Sequence, residues 1–433
     1  MTRPTTRLLT LGTMVVLLCH CGNGGSHPLL GGGGLGAGLG QTTGGAGGAG
    51  GSLVATEPNM LLATVDSGPQ NIGYTNGLFA SITLCEPGTA NCQTIDHLLV
   101  DTGSVGVRVL ESELKLALPT SENASGLALA ECTPFVDGTA WGPVKIADVT
   151  IGGETAANLP IQLIGEATYG MPTTCTGTPI TDFKTLAANG ILGVGVYLQD
   201  CGTPCAQPTN SRSNPGLYYA CSSATATSCK IAQVPVAQQV AHPVAGFPID
   251  NNGTIIQLPS VPASGAPSVP GMLVFGIGTQ ANNGLGNATV LALDAGYVST
   301  TFPVGSTKTY TSYLDSGSNG LFFLNAATSG IAQCTSSGLK DFYCPTTTTS
   351  LSATLSSING ASANIAFSVG NTSKMSNSAY ALSNLAGPMP GFPSSDNSVP
   401  SFDWGLPFYY GRTVYTAIET RDTPAGQGPY FAF

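Results

Sequence analysis

The phrase Leu98–Leu110, LLVDTGSVGVRVL, constrains this chain more than any other stretch. Three apolar residues run into Asp101-Thr102-Gly103-Ser104, and apolar alternation leads away from it. A version of the same phrase returns at Tyr313–Phe323, YLDSGSNGLFF, around Asp315-Ser316-Gly317-Ser318. Each copy sets a carboxylate at the mouth of a tight turn that follows a buried strand. Glycine lets the backbone turn where a Cβ would clash, and the flanking hydroxyls can hydrogen-bond a carboxylate or brace a neighbouring loop. A single Asp-Thr-Gly is ordinary turn chemistry. Two copies after two apolar strands point to a duplicated lobe that supplies one aspartate each time.

Composition agrees with a β-rich chain. Charged residues are 8% of the 433, against 58 glycines and 30 prolines. That favours short strands joined by many turns over helix bundles. The length allows two domains of ordinary size. A formal net charge of −10 argues against nucleic acid as a partner.

Residues 1–21 read as an export signal. Arg3 and Arg7 form a basic start, and Leu8–Leu18 is an apolar run too short for a permanent membrane span. Cys21 leads into Gly-Asn-Gly-Gly, a setting typical of bacterial lipoproteins, although His20 stands where a small residue is expected. Two readings follow: lipidation at Cys21, giving an outer-membrane-anchored protein, or plain cleavage and secretion to the periplasm or medium. Residues 22–57 read as a glycine-rich tether, because so little apolar surface cannot offset chain entropy. The folded part then divides into an N-terminal lobe, 58–240, and a C-terminal lobe, 241–433.

The chain has twelve cysteines, and those beyond the signal are even in number, so an exported chain should pair them. Close spacing suggests Cys85–Cys92, Cys201–Cys205, Cys221–Cys229 and Cys334–Cys344, which leaves Cys132–Cys175. No histidine joins a cysteine pair at zinc-ligand spacing, so neither a metal nor another cofactor is expected.

The two aspartate phrases resemble the active-site loops of the pepsin-like, two-lobed aspartic proteases, which carry an apolar pair and Asp-Thr/Ser-Gly-Ser/Thr once per lobe. Asn189–Gly195, NGILGVG, resembles the strand that threads behind the first loop. Trp404–Glu419, WGLPFYYGRTVYTAIE, resembles its C-lobe partner less closely. Gly271–Gly278, GMLVFGIG, resembles the strand that opens the second lobe. The whole also looks like a divergent group of bacterial secreted proteins on this plan. The resemblance implies an all-β fold of two barrel-like lobes with a cleft between them. It implies Asp101 and Asp315 as catalytic carboxyls, with Thr102, Gly103, Ser104, Ser316, Gly317 and Ser318 supporting them.

Phe135–Gly153 reads as a hairpin turning at Asp137-Gly138-Thr139. It stands where that family carries its flap, so Asp137, Gly138 and Trp141 are the flap candidates. The family's flap has a tyrosine just before the glycine; this chain has Asp137. Other constellations are weaker. Only His97 and His242 could serve a Ser-His-Asp set, and no G-x-S-x-G elbow is present. A glycosidase also uses two carboxylates, but not on matching turns. The expected function is therefore that of an exported, monomeric endopeptidase acting on peptides or unfolded protein. The alternative is an inactive pepsin-like lipoprotein that binds peptides. The membrane enters only through a lipid anchor at Cys21.

Overall fold

The structure is a computed structural model that describes residues 53–433 except 137 and 393–400. The signal, Cys21, most of the tether and Asp137 lie outside the described residues. Nearly all regular structure is β, as expected from the alternating apolar runs.

The first strand, Met60–Asp66, stitches the two halves of the chain together. It pairs antiparallel with Gly77–Cys85 on one side and with Val269–Phe275 on the other. From there the sheet runs on through Gly253–Leu258 and Arg412–Ala417 to Tyr430–Ala432 near the C-terminus. The final apolar residues are thus tied into a sheet. In the other direction it continues into the N-terminal half. A second, seven-stranded sheet belongs to the C-terminal half.

The two halves repeat one local arrangement. In the first, Cys92–Asp101 pairs parallel with Gly190–Val194, whose other edge pairs antiparallel with Val105–Leu110. In the second, Thr309–Leu314 pairs parallel with Phe402–Trp404, whose other edge pairs antiparallel with Leu321–Phe323. Each aspartate loop therefore steps over a central strand. Register makes Asp101, Ile191 and Leu192 the counterparts of Asp315, Asp403 and Trp404.

Alternation decides which faces are buried. Leu98 and Val100 point into a large core shared by both halves, as do Leu314, Trp404 and Phe323. Aromatic rings stiffen the base of the second loop: Phe323 stacks on Phe402 at 5.0 Å, and Phe402 on Trp404 at 5.5 Å. Such pairs add roughly 0.5–1.5 kcal/mol each beyond burial.

All five disulfides join the cysteines that spacing suggested. Pairs of this kind persist in oxidising compartments, so the chain is an exported one. Among the described residues no helix is long and apolar enough to cross a membrane.

The hairpin read at Phe135–Gly153 has a different frame. Ala128–Phe135 is its first arm and Gly138–Ile151 its second. That second arm turns again at Gly152-Gly153 to pair with Glu154–Ile164. The cysteine-rich segment after Tyr197 contributes a buried strand, Tyr218–Cys221, beside Ala128–Phe135.

Candidate active site

Asp101 ends its strand and Asp315 follows its own, and both carboxyls are fully buried. Each is held by its own loop in the same way. Asp101 Oδ1 accepts the Gly103 amide at 2.8 Å, and Oδ2 accepts the Ser104 hydroxyl. Asp315 Oδ1 accepts the Gly317 amide at 2.8 Å, and Oδ2 accepts the Ser318 hydroxyl at 2.8 Å.

The loops then lock into one another. Thr102 Oγ1 donates to the Leu314 carbonyl at 3.1 Å, and Ser316 Oγ donates to the Val100 carbonyl at 2.7 Å. The Thr102 amide donates to Ser316 Oγ at 3.1 Å, and the Ser316 amide to Thr102 Oγ1 at 2.9 Å. Four hydrogen bonds join two loops from opposite halves of the chain, with all donors and acceptors buried. Tyr409 adds its hydroxyl, 2.8 Å from Thr102 Oγ1.

Gly103 and Gly317 matter here for close approach. A Cβ on Gly103 would lie 2.7 Å from the Asp315 carboxyl carbon, and one on Gly317 would lie 2.6 Å from Asp101 Oδ1. Neither distance is tolerable for a side-chain carbon. Each loop's glycine is the surface against which the other loop's carboxyl rests, and the two carboxyls interact directly.

Burial dominates the electrostatics and pushes both carboxyls above the usual carboxylate range. Asp315 goes further because the Asp101 and Asp403 charges oppose its ionisation. On Asp101, hydrogen bonds from Ser104, Asp315 and Gly103, together with the Arg108 charge, work against the effect of burial. Two like charges this close do not both form readily, so one proton is shared and the pair titrates as a unit.

Behind the first loop lies a buried ionic cluster that the sequence did not single out. Arg108 donates to Gln162 at 3.0 Å, to the Val105 carbonyl at 2.6 Å, to Glu131 at 3.0 Å and to Asp200 at 2.8 Å. Tyr218 donates to the second oxygen of Asp200 at 2.7 Å. Glu131 is held below its ordinary range by Arg108, working against burial, whereas burial and Glu131 hold Asp200 well above its own. One cation thus faces two carboxyls that resist ionising together.

Asn76 also escaped the sequence reading. It is fully buried, and its amide donates to the Asn319 carbonyl at 2.7 Å and the Leu382 carbonyl at 2.9 Å. Its Oδ1 accepts the Leu382 amide at 2.7 Å and the Tyr410 hydroxyl at 2.8 Å. Every polar site on this side chain is used, and the bond to Asn319 anchors the chain just after the second aspartate loop.

Trp141 packs. Its indole donates to the Tyr169 carbonyl at 2.7 Å, and its ring meets Tyr219 edge-on at 5.2 Å, beside the Cys132–Cys175 disulfide. Gly138 lies against the Thr178 carbonyl, where a Cβ would fall 2.7 Å away. At the hairpin end Val136 packs against a cluster built by Tyr313, Phe322 and Phe342 of the C-terminal half. The hairpin end thus reaches across to the other half of the chain.

The histidines do not form a hydrolytic set. His97 pairs with Asp96 and Asp66 at the surface, at 3.3 and 3.6 Å. His242 is buried, accepts the Val244 amide at 3.2 Å, and is pushed down to about 4 by burial. Among the described residues no group of three His, Cys, Asp or Glu side chains is placed to hold a metal ion.

These features define a two-lobed, pepsin-like β protein with one aspartate loop from each half. Comparison of folds agrees: the crystal structure of an aspartic proteinase from Irpex lacteus superimposes with a TM-score of 0.51 at 13% identity. The match covers 86% of this chain and 96% of that one. At that identity the likeness is one of fold alone. By sequence, residues 55–433 match the family described as proteins of unknown function (DUF3443), and the chain belongs to it. No curated protein matches the sequence.

Proposed function

We propose that this protein is an exported aspartic-type endopeptidase that hydrolyses peptide bonds with a water activated between Asp101 and Asp315. The observation that carries the reading is the buried, mutually facing carboxyl pair, each member bonded to an amide and a hydroxyl of its own loop. Such a pair holds one proton and one charge. The charged member takes a proton from water as it attacks the scissile carbonyl. The neutral member polarises that carbonyl and later donates to the leaving nitrogen. Thr102 and Ser316 hold the loops together, and Ser104 and Ser318 fix the outer carboxyl oxygens. The substrate is a peptide or unfolded protein held beneath the Gly138 hairpin, and the chain acts as a monomer. Cys21 carries a lipid anchor, and residues 22–57 hold the folded part, lobes 58–240 and 241–433, away from the membrane.

One observation favours a second reading, a non-catalytic peptide-binding lipoprotein. Trp141 is committed to packing, so the nearest flap aromatic is unavailable to close over substrate. Digestion of unfolded casein across acidic to neutral pH separates the two. A peptidase cleaves and is blocked by a statine-type transition-state inhibitor. A binding protein leaves casein intact at every pH.

A further inference from the structure

A cavity of about 400 Å³ opens in the C-terminal half, between the hairpin of Thr349–Ser356 with Ser362–Val369 and residues 404–412. Leu351, Ile365 and Phe367 line it from the hairpin, and Leu351 and Phe367 are partners in register. Trp404 and Phe408 line it from the other side. Phe367 and Phe408 both meet the Trp404 ring edge-on, at 5.3 and 5.6 Å. The hydroxyls of Ser350 and Ser368 add polar groups to the same cavity. Small-molecule sites have this size and make-up: roughly 300–1,000 Å³, apolar and aromatic walls, and a few polar groups that fix orientation.

The one charged side chain lining the cavity is Arg412. It is half-buried, and its guanidinium carbon lies 4.6 Å from the centre of the Phe408 ring. It donates to the Phe408 carbonyl, a single acceptor for a group with five N–H donors. Among the described residues the ion pairs belong to His97, Arg108 and Lys145, and Arg412 has none. Arg108 shows the contrast: it donates to four acceptors, and two of them are carboxyls. Burial pushes the Arg412 guanidinium below the ordinary arginine range. A half-buried cation beside an aromatic-lined cavity lacks only its counter-charge.

We propose that this cavity binds a small aliphatic carboxylate, its head paired with the Arg412 guanidinium and its hydrocarbon tail against Leu351, Ile365, Phe367 and Trp404. The planar fork of a guanidinium matches a carboxylate through two parallel hydrogen bonds. The tail gains by leaving water for an apolar wall. An amine of the same length meets like charge at Arg412. The inference is independent of the peptidase reading, and its test needs no turnover.

Trp141 and Trp404 are the only tryptophans of the chain, so tryptophan emission reports on the cavity through Trp404. Decanoate at neutral pH should change that emission saturably, and calorimetry should return the same affinity. Decanol has the same tail without the charge and should bind at least about tenfold more weakly, as expected when a hydrogen bond to a charged group is lost. Arg412→Met keeps an apolar stem beside Phe408. It should lower the decanoate affinity to that of decanol and leave decanol unchanged, with the melting temperature as the check on folding. Leu351→Trp narrows the cavity from a partly exposed position and should weaken both probes in calorimetry. Equal affinity of the wild type for decanoate and decanol overturns the ion pair without any variant. Absence of saturable decanoate binding, or an unmoved affinity in folded Arg412→Met, overturns the site. A blocked apolar dipeptide with a free carboxyl that binds more tightly than decanoate overturns the aliphatic assignment.

Discussion

Asn76 donates to the carbonyl of Asn319 at 2.7 Å across 243 residues of sequence. The bond ties the start of the N-terminal half to the chain just after Asp315. Asn76 is buried and uses all its donors and acceptors, so truncation strands partners that water does not reach. Asn76→Ala should destabilise the fold by roughly 2–5 kcal/mol, since each stranded buried group costs about 1–3 kcal/mol and relaxation recovers part of it. Thermal unfolding measures the loss. Asn76→Asp should be no rescue, because a carboxylate cannot donate to the two carbonyls.

Gly103→Ala and Gly317→Ala test the close approach. A methyl 2.7 Å from the Asp315 carboxyl carbon, or 2.6 Å from Asp101 Oδ1, must push the carboxyls apart. A misplacement of about 1 Å costs roughly 100-fold in rate. Each variant should therefore lose at least that much kcat while its far-ultraviolet circular dichroism stays that of the wild type. Retention of activity in both would mean that the carboxyls do not work as a facing pair.

Stability should depend on pH in a definite direction. Asp101, Asp315, Asp403 and Asp200 all ionise at higher pH in the fold than in the unfolded chain, chiefly because of burial. A raised carboxyl stabilises the fold fully below its unfolded value and loses that contribution as pH rises through the folded one. His242, pushed down to about 4, acts the other way, losing its contribution as pH falls from about 6.5 toward 4. The melting temperature should then be highest in mildly acidic buffer and fall toward alkaline pH. In Asp403→Asn the alkaline fall should be shallower. A melting temperature that rises steadily from pH 5 to pH 9 would contradict the assignment.

Much of the site was legible because its parts are local. Asp101 and Asp315 each announce themselves within four residues, and four of the disulfides close short loops. Strand alternation marked Met60–Asp66 and Gly77–Cys85 closely. What could not be read lies in long-range register. Asn76, Tyr409 and the Arg108 cluster acquire meaning only when distant strands meet. Asp403 had a signal of its own. Aligned on the glycine, Ile191-Leu192-Gly193 answers Asp403-Trp404-Gly405, and a carboxylate replaces an apolar residue. The hairpin was framed by its glycine, although its first arm begins at Ala128, so Trp141 fell on a packed arm.

The central claim is that Asp101 and Asp315 do the chemistry together. Its most direct test is the kcat for peptide cleavage of wild type, Asp101→Asn, Asp315→Asn and the double variant, measured at the acidic optimum on refolded, thermally characterised protein. An amide matches the carboxylic acid in shape but cannot act as the base or share the proton. The account predicts that each single variant loses cleavage as completely as the double one, with folding intact, because residues that act as a unit do not contribute additively. Cleavage that survives in either single variant, or a wild type that cleaves nothing from acidic to neutral pH, would contradict it.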